Sequence, residues 1–208
     1  MPVERFARVF LLSPANTGGL RCQLLLRDGA QFDLAQRLQN GVATIGEVYT
    51  FISGLYFRGK IAYASAFAAA PEGVPPALII VPGIGLVPQD DRIGIEQLRA
   101  ISRVSIHEQN DAYRGPLMRD AALLDRAGIG CRYVLLGSIA TEKYTRPLLE
   151  MFGERLLFPE TFVGRGDMSR GGLMLRAAGL SSELNYIPVK NAIRRGTRPP
   201  KLEKWQKR

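Results

Sequence analysis

Histidine is almost missing. His107 is the only one in 208 residues, and Cys22 and Cys131 are the only cysteines. That scarcity argues against a zinc site, which draws its ligands from clusters of such residues. It argues equally against a Ser-His-Asp triad, because His107 would have to serve and nothing around it resembles a nucleophile elbow. Two cysteines beside apolar, strand-like residues make no disulfide framework and behave as small hydrophobes. No apolar run approaches the roughly 20 residues of a membrane span. Met1-Pro2-Val3-Glu4-Arg5-Phe6 lacks the basic-then-apolar layout of a signal peptide. Internal repeats are missing too. These gaps lead us to expect a cytoplasmic protein with no metal, no cofactor and no membrane partner.

What is present is length enough for a proper core and a charge placed unevenly. The net charge is +9, yet between Lys190 and Arg208 eight basic residues face one acid, Glu203. The expected organisation is a single α/β domain over residues 1–189 with a basic tail over 190–208. A flexible tail of that kind adds salt-sensitive, non-specific attraction to nucleic acid. It says little about what the body recognises.

The densest chemical stretch is Val163-Gly164-Arg165-Gly166-Asp167-Met168-Ser169-Arg170-Gly171-Gly172. Glycines allow a ligand to approach backbone N–H groups, and arginine offers a rigid fork of donors for phosphate or carboxylate. Arg165, Ser169 and Arg170 are therefore candidate anion contacts, with Asp167 left to orient a partner or move a proton. A plain glycine turn with solvated arginines is the competing reading.

Continuous apolar runs predict buried strands at Ala7–Leu12, Ala77–Val81 and Arg132–Leu136. Each ends in small or polar residues, where open α/β sheets bind ligands. The first ends in Ser13-Pro14-Ala15-Asn16, giving Ser13 and Asn16 as candidates, although Leu20–Leu26 reads as a second strand that pairs back through a turn. The next ends in Pro82-Gly83-Ile84-Gly85. Gly83 and Gly85 are only part of a dinucleotide fingerprint, since no third glycine opens a helix. The last leads through Gly137-Ser138-Ile139-Ala140-Thr141 into a helix ending near Phe152. Ser138 and Thr141 can contact a phosphate there or simply cap the helix. Glu142 is a second candidate acid–base residue.

Helices are predicted over 32–38, over 48–70 with a break at Ser53-Gly54, over 95–104 and over 113–127. Thr44-x-x-Glu47 is a capping-box pattern. Beyond Ser53, which can cap the second half, the apolar face reads as Leu55, Ile61, Ala62, Ala66 and Phe67. Tyr56, Arg58 and Lys60 occupy its first turns, where cations suit a bound anion better than the helix dipole; solvated side chains are the alternative. After a short strand at 155–158, residues 172–178 and 183–189 read as a closing hairpin. The expected fold is α/β in three layers, a mixed, mostly parallel sheet with helices on both faces and a C-terminal β-hairpin.

Three stretches carry a resemblance: residues 53–60 (Ser-Gly-Leu-Tyr-Phe-Arg-Gly-Lys), 135–141 (Leu-Leu-Gly-Ser-Ile-Ala-Thr) and 162–173. They are similar to a set of uncharacterised bacterial proteins of like length, over most of the chain, which implies no particular activity. A fainter resemblance is to small uracil-DNA-glycosylase-like domains found with tRNA-guanine transglycosylases. In those a Tyr-x-Ser-x-x-Phe helix precedes a strand ending in a Lys-Tyr-Gly-Leu-type turn. Here the helix would be Tyr49–Phe57 and the turn Gly83–Leu86, without the lysine and tyrosine.

Two functions lead, with a scaffold that binds no small ligand as the third reading. One is an enzyme, a hydrolase or transferase acting on a nucleotide, nucleobase or sugar phosphate, with Arg165 and Arg170 on the anion and Tyr56 stacked on a base. Asp167 or Glu142 would do acid–base work in it. The other is a non-catalytic nucleotide- or nucleic-acid-binding protein anchored by its tail. Either implies a phosphate-containing small molecule or nucleic acid as partner. Oligomeric state is not legible.

Overall fold

The computed structural model describes residues 6–202. In chain order the elements are β1 (Arg8–Leu12), α1 (Leu20–Leu26), α2 (Asp33–Gln39), β2 (Ala43–Thr44), α3 (Ile45–Ser53) and α4 (Leu55–Phe67). Then come β3 (Ala77–Val81), β4 (Gly85–Val87), β5 (Arg92–Ile93), α5 (Ile95–Arg103), α6 (Asp111–Ala127) and β6 (Arg132–Leu136). The C-terminal third adds α7 (Glu142–Phe152), β7 (Leu156–Pro159), α8 (Asp167–Gly179) and β8 (Tyr186–Pro188).

Six strands form one sheet in the order β4-β3-β1-β6-β7-β8. β1 lies parallel to both β3 and β6, and β6 lies parallel to β7; only the edge strands β4 and β8 run antiparallel. The expected mixed, mostly parallel sheet is present. Its central strands are continuous apolar runs because both faces are covered: Val9 to Leu12 and Tyr133 to Leu136 are all buried. With the right-handed crossovers that parallel strands adopt, the β1-to-β3 connection belongs on one face and the β6-to-β7 connection on the other. The packing agrees, since α4 lies against α8 and α6 against α7.

From β1 the chain moves outward to β3, then returns across to β6 on the other side. The strand order therefore reverses between β1 and β6. Their C-terminal ends, Leu12 and Leu136, are register partners, so Ser13 and Gly137 emerge side by side at this switch point. Crevices at such points are where open α/β sheets take ligands.

Two stretches read as strands are helices. Residues 20–26 form α1, because burial falls on Cys22 and Leu25, three apart, while Leu20 and Leu24 face solvent. Residues 172–178 belong to α8, whose buried side is Arg170, Gly171, Met174 and Ala177, again at helical spacing. The C-terminal antiparallel pairing exists, but it joins β8 to β7. Thr44 and Glu47 do form the capping box. The buried side of α4 is Tyr56, Phe57, Gly59, Lys60, Tyr63 and Ala64, a different stripe from the one expected. Ser53 does not cap it; Gly54 is its N-cap, with no side-chain cap bond.

The tail is ordered against the body as far as it is described. Arg194 pairs with Glu142, Arg165 donates to the Pro200 carbonyl, and Lys190 pairs with Glu154. Trp205 and the rest of residues 203–208 lie outside the described residues.

Candidate functional site

Ser13 is the first residue beyond β1, and it is buried. Lys60 reaches it from α4, entirely buried, donating from Nζ to the Ser13 carbonyl at 2.7 Å and to Ser13 Oγ at 2.8 Å. Ser13 Oγ in turn donates to the Leu136 carbonyl on β6, at 3.3 Å. The lysine is boxed in by aromatic rings, its Nζ 4.0 Å from the centre of Tyr56 and 5.2 Å from that of Phe57. Burial in this setting pushes its pKa down from 10.5 to about 7; Asp167 opposes the fall, while Arg170 and Lys143 add to it. Among the described residues Lys60 has no ion-pair partner.

Backbone approach makes this geometry possible. A Cβ on Gly59 would stand 2.7 Å from the Gly171 carbonyl oxygen, and one on Gly171 would stand 2.7 Å from that of Leu55. The two glycines let α4 and α8 touch main chain to main chain, which brings Arg170 beside Tyr56. Gly137 does the same for β6, because a Cβ there would lie 2.8 Å from Ser13 Cβ.

Arg170 is buried and donates from Nε and Nη2 to the Phe162 carbonyl, at 3.2 and 3.1 Å. Its Nη1 lies 3.4 Å from Asp167 Oδ1, and Asp167 itself is open to solvent. The Tyr56 hydroxyl is buried with no hydrogen-bond partner. Burial raises that phenol to about 12, against the pull of the neighbouring Arg170 charge and Ser13. Two helix N-termini border this cluster, since Asp167 opens α8 and Lys143 stands in the first turn of α7. α7 starts after Thr141 and α8 after Gly166, and neither has a side-chain cap. Their free N–H groups and dipoles favour negative charge.

No family model, curated protein or solved structure matches this chain.

Its site must be read from its own chemistry, and the expected residues fall into two groups. Ser13, Tyr56, Lys60, Asp167 and Arg170 come together electrostatically around Lys60, and Ser138 follows the glycine packed on Ser13. The others are occupied elsewhere or exposed. Arg165 donates to the Thr161 carbonyl, Ser169 Oγ and the Pro200 carbonyl, so Arg165 and Ser169 brace the tail. Glu142 pairs with Arg194 and lies 3.8 Å from Arg146. Asn16 Oδ1 closes its own turn on the Gly18 N–H, and Ser138 Oγ likewise accepts from Ala140 N. Thr141 and Arg58 are exposed. Gly83 and Gly85 make the β3–β4 turn, where Asp120 Oδ2 already accepts from Leu86 N at 2.9 Å. A carboxylate sits where the bound anion would go. One face of Tyr56 is covered by Lys60 Nζ and is closed to a base.

Lys143 and Phe57 were not singled out in the sequence, nor were the close-packing roles of Gly59 and Gly137. Nor was the burial of Lys60, although a signal existed. Tyr56, Lys60, Tyr63 and Ala64 recur at helical spacing, which places the lysine on an apolar face rather than in water. Two cavities open elsewhere. One of about 490 Å³ lies between α2, α3 and the 89–90 turn. One of about 890 Å³ lies at the opposite end of the sheet, near Arg8, Arg132 and Tyr186. Neither is lined by Ser13 or Lys60. No helix is long and apolar enough to cross a membrane, and no metal-ligating cluster exists, among the described residues.

Proposed function

We propose that the chain is an enzyme, a hydrolase or transferase, acting on a nucleotide-like or sugar-phosphate substrate bound at the rim between β1 and β6. The observation that carries this reading is an imbalance. Lys60 lies in the field of two further cations, Arg170 and Lys143, and of one carboxylate, Asp167, beside two helix N-termini and a buried phenol that makes no hydrogen bond. Buried polar groups are normally satisfied, and buried charges are normally paired. A phosphate or similar anion answers all of these needs together: it accepts from Tyr56 Oη, neutralises excess positive charge and meets the free N–H groups. Arg194 holds Glu142, which leaves Asp167 as the carboxylate of the cluster.

The test is nucleotide binding, with adenosine monophosphate as probe and Tyr56→Phe as variant. If the hydroxyl waits for a ligand, removing an unsatisfied buried group leaves the free protein as stable as before or more so. Affinity then falls about tenfold, roughly 1.4 kcal/mol. A wild-type protein whose melting temperature no nucleotide raises, or a variant that binds as tightly, contradicts the reading. Loss of turnover in Asp167→Asn with binding retained separates an enzyme from a binding protein.

A further inference from the structure

We propose that Ser13 and Lys60 are a nucleophile and its general base, acting on a phosphate ester held at the same rim. Nucleophile–base pairs are recognised by hydrogen-bond contact between the reacting hydroxyl and a base held in place by further groups. Lys60 Nζ is 2.8 Å from Ser13 Oγ and is fixed by the Ser13 carbonyl at 2.7 Å and by the rings of Tyr56 and Phe57. The pair sits at the sheet's switch point, where a ligand is expected independently of these residues. Structural need alone accounts poorly for the lysine. A methionine would fill an apolar slot without the cost of a buried cation, and no ion pair offsets that cost among the described residues.

In the neutral amine the Nζ lone pair accepts the Ser13 O–H. Oγ attacks phosphorus, a bond forms between them, and the bond from phosphorus to the leaving oxygen breaks. The hydroxyl proton passes to Nζ and from there to that oxygen. The phosphoserine left behind is cleared by water, whose proton Lys60 takes in the same way, restoring the free serine and releasing phosphate. The charged groups facing Lys60 are Asp167 and Arg170 on α8 and Lys143 on α7, with the Tyr56 phenol on α4. Burial keeps the amine largely unprotonated above about pH 7, where it can act as a base.

The phosphorus electrophile rests on the substrate reading above, but the test does not need a nucleotide to bind. The protein is incubated with a fluorophosphonate, a small phosphorus electrophile, and the adduct is located by peptide mass spectrometry. The expected result is one adduct, on Ser13, with a rate that rises as pH passes through about 7, where the amine loses its proton. Ser13→Ala is not labelled, and Lys60→Met is labelled about 100-fold more slowly or worse. No adduct on Ser13 in the folded wild type overturns the proposal. So does an adduct on Lys60, or labelling of the Lys60→Met protein within a few-fold of wild type. Should that variant fail to fold, the wild-type pH profile decides, and a flat one overturns the pair. Labelling of Ser13 in a protein that binds no nucleotide keeps the pair and removes the nucleotide reading.

Discussion

Lys60 lies wholly buried against Ser13, Tyr56 and Phe57, and this one side chain links the stability of the protein to its chemistry. In the unfolded chain it titrates at its ordinary value near 10.5, and in the folded chain at about 7. Between those values the unfolded state binds more protons, so stability rises with pH, while below about 7 the cost of burying the cation is fully present. Above about pH 10 the buried phenols reverse the trend, since tyrosines such as Tyr56 and Tyr63, raised to about 12, ionise only on unfolding. Chemical denaturation should therefore show a gain of about 2–3 kcal/mol between about pH 7 and 9. Lys60→Met should flatten that rise. A variant that keeps the wild-type slope would show that another group is responsible.

At the scale of elements, the α4–α8 contact is what assembles the rim, and it turns on two glycines. Gly171→Ala places a methyl 2.7 Å from the Leu55 carbonyl oxygen and 2.8 Å from Tyr56 Cα, both main-chain atoms that cannot step aside. Overpacking of this kind costs about 1–3 kcal/mol. Its neighbour makes the control. A Cβ on Gly172 meets only Leu202 Cδ1, at 3.5 Å, so Gly172→Ala should be neutral or gain up to about 1 kcal/mol of helix propensity. Equal losses from the two substitutions in urea denaturation would contradict the contact.

The same elements show what could be read beforehand. Thr44 and Glu47 announced their capping box because both partners are local, and β1, β3 and β6 announced themselves through unbroken apolar runs. α1 and α8 did not, because short apolar runs fit either period, and only tertiary burial selected Cys22 with Leu25 and Met174 with Ala177. Arg165 and Arg170 are five residues apart and chemically identical. Which one turned inward depended on the Pro200 carbonyl, 35 residues from Arg165, and on the carbonyl of Phe162, eight residues from Arg170, whose position the loop's own fold decides.

At the scale of the molecule, a nearly neutral body carries a basic C-terminal extension that is partly docked. Truncation after Gly196 removes five basic residues and one acid, together with the Arg165–Pro200 bond and the Leu202 side chain, which lies near Gly172. The shortened protein should still fold, with a loss on the order of 1 kcal/mol, and should bind polyanions more weakly with a shallower salt dependence. Unfolding on truncation would show that the docking contributes far more than these contacts suggest.

Chemistry at the rim between β1 and β6 depends on the charge of Lys60, which its titration reads out. Carbon-13 NMR of its ε-methylene can follow the amine in free protein and with inorganic phosphate or adenosine monophosphate added. The midpoint should lie near 7 in the free protein. It should move clearly upward when the anion binds, because nearby negative charge favours the protonated amine. A midpoint near the ordinary 10.5, or one that neither anion moves, would contradict this role for Lys60.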